Sequence, residues 1–85
     1  MYEIEFLPRA AEDFNNLDSG VASRVLKKIR WLAENFESIK PEPLVREFEG
    51  LLKLRAGDYR IIYQADRENQ ALRIHFVGHC REVYR

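Results

Sequence analysis

Three cationic side chains stand in a stretch of sequence that otherwise has the pattern of buried β-strands. The stretch reads G-L-L-K-L-R-A-G-D-Y-R-I-I-Y, and its cations are Lys53, Arg55 and Arg60. Successive side chains of a strand point to opposite faces, so Lys53 and Arg55 share one face while the leucines around them share the other. The short A-G-D turn predicts a hairpin that brings Arg60 back beside them. The chemistry predicted for such a cluster is binding of a phosphate group.

Length and composition limit the kind of protein that carries this cluster. With 85 residues and 46% hydrophobic content, residues 1–85 are predicted to form one folded domain. A single cysteine, Cys80, excludes an internal disulfide and a zinc site built from several thiolates. No apolar run approaches the ~18 residues that a membrane span needs, and the N-terminus carries acids where a signal peptide carries bases. We therefore expect a cytoplasmic protein without a membrane partner.

The formal net charge is zero, but the charge is unevenly distributed. Residues 1–49 contain ten acidic and seven basic residues, whereas residues 50–85 contain four acidic and seven basic residues. The lack of an overall basic bias disfavours a protein that binds nucleic acid over its whole surface, and it leaves a local cationic patch in the second half. The plain alternative is that this patch is an ordinary solvated face.

Hydrophobic periodicity predicts the elements that must position the cations. The N-terminal residues alternate as in a strand, and two amphipathic helices follow, the second capped by Asp18 or Ser19. The proline-containing segment 40–44 is predicted to be a linker. The aromatic residues Trp31, Tyr59, Tyr63 and Phe76 are assigned to the core or its margin. The predicted ranges are a strand at 2–6, a helix at about 8–17, a second helix whose apolar stripe runs from Val21 to Phe36, strands at 45–48, 51–55, 59–65 and 71–77, and a short strand near 82–84.

The order β-α-α-β-β-β predicts an α+β domain. Its N-terminal strand and helical hairpin are expected to pack on one face of a small antiparallel sheet. The opposite face, which carries the cations, is expected to be open.

Two motifs give the chain a resemblance to the RelE/ParE superfamily of bacterial and archaeal toxins from toxin–antitoxin pairs. One runs K-L-R-A-G-D-Y-R-I-I-Y from Lys53 to Tyr63, and the other runs V-G-H-C-R-E-V-Y from Val77 to Tyr84. The segment F-L-P-R-A-A-E-D-F after the first strand fits the same family, so the resemblance covers nearly the whole chain. It implies a RelE-like fold. In the RelE branch it also implies entry into the ribosomal A site and metal-free cleavage of mRNA, with no cofactor.

The resemblance also implies site residues by position in these motifs. Lys53, Arg55 and Arg60 match site positions of the family, and Tyr84 matches a terminal tyrosine that lies close to the RNA. In another branch a glutamate in a Pro-Glu-Pro-Leu segment acts as the base, and Glu42 lies in such a segment here.

Cys80 departs from the family pattern, which usually has an arginine after Gly-His. Arg81 is the next cation and a further candidate RNA contact, although it points the other way if the strand continues. Strict alternation from Phe76 turns residue 80 toward the core unless Gly78 introduces a β-bulge. The resemblance therefore implies a nuclease site that lacks one cation.

RNA cleavage of this type requires removal of the 2′-hydroxyl proton, stabilisation of a dianionic phosphorane and protonation of the departing 5′-oxygen. Arg55 and Arg60 are planar cations suited to hold phosphate oxygens. Lys53, which lies beside the two arginines, is a candidate base, and His79 is a candidate acid or base because imidazole titrates near neutrality. Tyr84 is a candidate stacking partner for a base of the RNA.

Three functions stay open from the sequence. The first is a ribosome-dependent mRNA endonuclease that a cognate antitoxin neutralises. The second is an inhibitor of DNA gyrase, as in the ParE branch, and the third is a catalytically weakened relative that retains antitoxin binding and tunes operator repression. In each case operator DNA is expected to be contacted only through the antitoxin.

Overall fold

The structure, a computed structural model of the chain, describes residues 1–44 and 50–80. The strands predicted at 45–48 and 82–84, together with Arg81 and Tyr84, lie outside the described residues. The described elements are β1 (Glu3–Phe6), α1 (Pro8–Asn15), α2 (Ser19–Asn35), a 3-10 turn (Phe36–Ser38), β2 (Glu42–Pro43), β3 (Leu52–Ala56), β4 (Tyr59–Asp66) and β5 (Ala71–His79).

Both helices begin where the sequence signals place them. Pro8 starts α1, where its missing N–H leaves no hydrogen bond unmade. The Asp18 side chain caps α2 by accepting a hydrogen bond from Val21 N at 3.0 Å. The residues that α2 buries follow the helical period, so this helix presents one apolar stripe to the sheet. They are Val25, Ile29, Leu32 and Ala33.

The predicted α+β fold is confirmed, and its sheet of five strands is mixed. The strand order is β1-β5-β4-β3-β2, in which β1 pairs parallel with β5 and the other neighbours pair antiparallel. The parallel pair arises because the chain leaves β1 through the two helices and completes the sheet with β5 beside β1. Glu42 and Pro43, assigned to a linker from the sequence, form the short edge strand β2, a position that tolerates proline.

The core lies between the helices and one face of the sheet. Ile29 and Leu32 of α2 pack there with Ile61, Leu72 and Ile74, and all five are fully buried. The helix α1 follows the edge of β5 beyond the end of β1. There Asp13 Oδ2 accepts a hydrogen bond from Val77 N at 3.1 Å, which satisfies an edge amide that no strand pairs with.

A β-bulge in β5 decides which residues face the core. Ile62 pairs with Phe76 but Tyr63 pairs with Ile74, so His75 is the extra residue. The irregularity lies at His75 and not at Gly78, which stays in register opposite Arg60. After the bulge the alternation of side chains between the two faces is shifted by one residue, so Val77 and His79 lie on the face of Ile61, and Gly78 lies on the face of Arg60.

The face opposite the helices is open only in part. Ile62 on that face is fully buried, and it pairs with Phe76 of β5. The guanidinium of Arg9 lies 4.3 Å from the ring centroid of Phe76. The neighbouring row, which contains Arg55 and Arg60, is more accessible.

Candidate functional site

The hairpin register brings the predicted cations to one face of the sheet. Arg55 in β3 stands directly opposite Arg60 in β4, and residues paired in this way project to the same face. Lys53, two residues before Arg55, shares that face. Gly78 of β5 continues the row beyond Arg60 without adding a side chain. The two arginine side chains therefore leave the same face of the sheet from directly opposite positions, where both are available to an anion bound on that face.

Cys80 lies beside Arg60 on this face. The Nε atom of Arg60 donates a hydrogen bond to Cys80 Sγ at 3.4 Å, and Cys80 N donates to the carbonyl oxygen of Asp58 at 2.8 Å. The shift at His75 turns residue 80 away from the core. The position at which the superfamily usually carries an arginine is thus adjacent to the cationic row.

Glu42 and Lys53 form an ion pair at the same face. They are register partners between β2 and β3, and Glu42 Oε2 lies 4.0 Å from Lys53 Nζ. Lys53 is largely enclosed, whereas Glu42 is mostly exposed. Arg55 is held at the other end of β3, where its Nε donates to Gly57 O at 2.8 Å.

A groove of about 470 Å³ runs from these residues to helix α2. It opens beside β3 past Lys53, where the pairing with β2 ends. Its charged lining consists of five cations and one acid, so its local charge is strongly positive although the chain is neutral. These residues are Lys28, Lys40, Lys53, Arg55 and Arg60, with Glu42.

Trp31 lines the same groove, and the prediction that it belongs to the core or its margin is wrong. Its exposed fraction is 41%, and Lys28 Nζ lies 4.4 Å from its ring centroid. The helical period contains the missed signal, because Trp31 lies about 100° from Leu32 and so off the buried stripe of α2. The residue type favours burial, whereas its angular position on α2 places it outside the core.

Tyr63 of β4 forms part of the lining of the groove. It is buried, and burial is the main cause that raises the pKa of its phenol to about 12, with Glu42 raising it further and Arg67 opposing the shift. The phenol is therefore neutral at physiological pH and cannot serve there as a base.

His79 is not brought together with the cations. It pairs with Tyr59, their rings lie 5.4 Å apart between centroids, and it lines a separate cavity with Asp13 and Leu17 near α1. The cause is again the bulge at His75, which places His79 on the opposite face from Arg60.

Within residues 1–44 and 50–80, no group of three His, Cys, Asp or Glu side chains is arranged to hold a metal ion. Neither described helix is long and apolar enough to cross a membrane.

Comparison with known families decides the identity of the chain. The sequence profile of the ParE toxin of type II toxin–antitoxin systems, parDE, matches residues 4–84. The chain belongs to this toxin family. The resemblance of the toxin to the RelE/ParE superfamily is thereby confirmed. No curated protein sequence matches it.

Solved structures similar to this toxin come from toxin–antitoxin systems. A chain of the RelBE2 toxin–antitoxin complex of Mycobacterium tuberculosis is 28% identical, with a TM-score of 0.82 over 92% of this chain and 96% of that chain. The isolated RelE toxin of E. coli is 27% identical, with a TM-score of 0.75 over 93% and 84%. A free-state E. coli RelE with two arginines changed to alanine is 32% identical, with a TM-score of 0.71 over 98% and 90%.

Proposed function

We propose that this toxin is a ribosome-dependent, metal-free mRNA endonuclease that cuts in the A site and so inhibits translation. The observation that carries the proposal is the direct pairing of Arg55 with Arg60, with Lys53 on the same face. Similarity to RelE structures above 25% identity supports it.

Arg55 and Arg60 bind the non-bridging oxygens of the scissile phosphate. Attack of the 2′-oxygen on phosphorus places two negative charges on the phosphorane, and two fixed guanidinium groups stabilise that charge more than they stabilise the singly charged diester. Each contact of this kind contributes about 2–4 kcal/mol in a partly desolvated site.

Glu42 and Lys53 are proposed as the proton-transfer pair. The Glu42 carboxylate takes the proton of the 2′-hydroxyl, and the Lys53 ammonium beside it gives a proton to the 5′-oxygen as the P–O5′ bond breaks. The products are a 2′,3′-cyclic phosphate and a 5′-hydroxyl. This assignment replaces Lys53 as the base, because a carboxylate is its neighbour. Tyr84 and Arg81 stay predicted RNA contacts, and His79 receives no role because it lies on the other face.

A cognate antitoxin is the proposed protein partner. The similar structures include RelBE complexes, in which toxin and antitoxin are bound to each other. The toxin acts in the cytoplasm, and operator DNA is contacted only through the antitoxin.

Inhibition of DNA gyrase is the second candidate, because the matching family profile is that of ParE. A third, weakened antitoxin-binding relative is favoured by Cys80 at the position of a family arginine.

Induction of the toxin in a bacterial host, followed by primer extension on mRNA, tests the proposal. Cuts within translated codons, absent in Arg60→Ala and present in the exposed helix variant Arg30→Ala, are expected. Growth arrest without such cuts, together with loss of supercoiling activity of purified gyrase, would establish the second candidate instead. Absence of both effects would leave the third.

A further inference from the structure

An exposed tryptophan extends the cationic site. Among the large hydrophobic residues that the structure describes, just Met1 and Trp31 are exposed, and Met1 is the chain terminus. Trp31 faces the groove that Lys53, Arg55 and Arg60 also line. Its position on a cationic groove makes the exposed ring available as a stacking platform.

The charge around Trp31 identifies the kind of ligand. Lys28 and Lys40 lie on the same groove, beyond the residues assigned to the scissile phosphate. Glu42 is the one acidic residue that the structure describes in this lining. A cationic groove with an aromatic platform is the arrangement by which proteins bind single-stranded nucleic acid.

We infer that the groove binds single-stranded RNA on one side of the scissile phosphate. Trp31 stacks on a base, and Lys28 and Lys40 contact neighbouring phosphates. The inference rests on the proposed function and adds a subsite to it. Lys28 covers part of one face of the indole ring, so the base stacks on the exposed remainder.

The subsite gives Trp31 a role in positioning and in substrate preference. Stacking on an aromatic ring accepts every base but favours those with larger π-surfaces. Purines at the stacked position are therefore expected to bind more tightly than pyrimidines. Loss of the ring is expected to weaken RNA binding about tenfold, with little effect on the fold because the side chain is exposed.

Intrinsic fluorescence offers a direct test, because the chain contains a single tryptophan. The probe is a short 2′-O-methyl oligoadenosine, which the enzyme cannot cleave because its 2′-oxygen carries a methyl group. Saturable quenching by this oligonucleotide, and none by inorganic polyphosphate of equal charge, is expected. Equal responses to both probes would show charge binding without stacking and would overturn the inference.

Variants separate the subsite from the nuclease site. In fluorescence anisotropy with labelled oligonucleotide, Trp31→Leu is expected to weaken binding about tenfold and Trp31→Phe to retain most of it. Lys28→Ala is expected to reduce the salt dependence by about one phosphate contact. Lys27→Ala, an exposed neighbour that does not line the groove, is the matched control and is expected to change neither quantity.

The remaining outcomes distinguish failure of the subsite from failure of the proposed nuclease function. Codon cleavage by the wild type together with unaltered RNA binding by Trp31→Leu would overturn the subsite and leave the proposed function standing. Base-dependent quenching without any cleavage would overturn the nuclease and leave the groove as an RNA-binding surface. Quenching by an acidic antitoxin peptide but not by the oligonucleotide would assign the groove to a protein partner and overturn the inference.

Discussion

Arg60 donates a hydrogen bond from Nε to the sulfur of Cys80 at 3.4 Å, and the two residues lie on the face that also carries Arg55. A small neutral side chain thus lies in contact with one of the two arginines to which the proposed function assigns phosphate binding. A longer cationic side chain at this position would start from the same face of the sheet.

Restoring that charge is expected to increase activity. Because Cys80 lies on the cationic face, the Cys80→Arg side chain reaches the phosphate and not the core, so about tenfold faster single-turnover cleavage of ribosome-bound mRNA is expected. The melting temperature is expected to change little. Cys80→Leu, which adds bulk without charge, is the control. A stably folded Cys80→Arg protein with unchanged cleavage would show that this position does not face the substrate.

Removing one of the two arginines that are proposed to bind the phosphate is expected to abolish cleavage. Arg60→Ala should lower the cleavage rate by about 100-fold or more, because one preorganised donor to the phosphorane is lost. Arg60→Lys keeps the charge but loses the planar pair of donors, so most of the loss is expected there as well. Lys53→Ala and Arg55→Ala should weaken cleavage similarly. Circular dichroism checks the fold, and full activity in a folded Arg60→Ala protein contradicts the mechanism.

Tyr63 is expected to make the toxin sensitive to alkali. Its phenol keeps its proton up to a pKa of about 12 in the folded chain, against 10.0 for an unperturbed tyrosine. The unfolded chain therefore loses this proton first, so the stabilisation is complete below pH 10 and is lost as pH rises through 12. The loss amounts to about 3 kcal/mol. Urea unfolding of the wild type and Tyr63→Phe across this range measures it, and parallel curves for the two proteins would refute it.

Asp13 is expected to stabilise the edge of the sheet. Its carboxylate accepts from the otherwise unpaired amide of Val77, so Asp13→Ala should lower the free energy of unfolding by about 1–2 kcal/mol. Asp13→Asn keeps an acceptor oxygen and should recover part of the loss. The exposed neighbour Glu12→Ala is the control. Equal denaturation midpoints for Asp13→Ala and Glu12→Ala would show that this hydrogen bond contributes nothing.

Local signals predicted much of the fold. Each helix is specified by signals that lie within it or next to it. Pro8 begins α1, and the Asp18 cap and the apolar stripe belong to α2, so both helices could be located from the sequence. The turn at Gly57, with its positive φ of 63°, likewise fixed the β3–β4 hairpin and with it the Arg55–Arg60 pair.

Features that depend on distant partners could not be predicted in this way. The parallel pairing of β1 depends on β5, nearly seventy residues away, and Glu42 becomes part of a strand only by pairing with Lys53. The positions of His79 and Cys80 depend on how β5 aligns with β4.

The bulge at His75 also affects how sequence periodicity along this strand is converted into positions on the two faces of the sheet. An uninterrupted alternation extrapolated from Ile74 would assign His79 to the row of Arg60 and Cys80 to the core, the reverse of the observed geometry. In β5 the alternation of faces is interrupted once, so the residues before and after His75 follow two separate alternations. A face assigned by strict alternation along this strand is correct only when the extra residue is set aside.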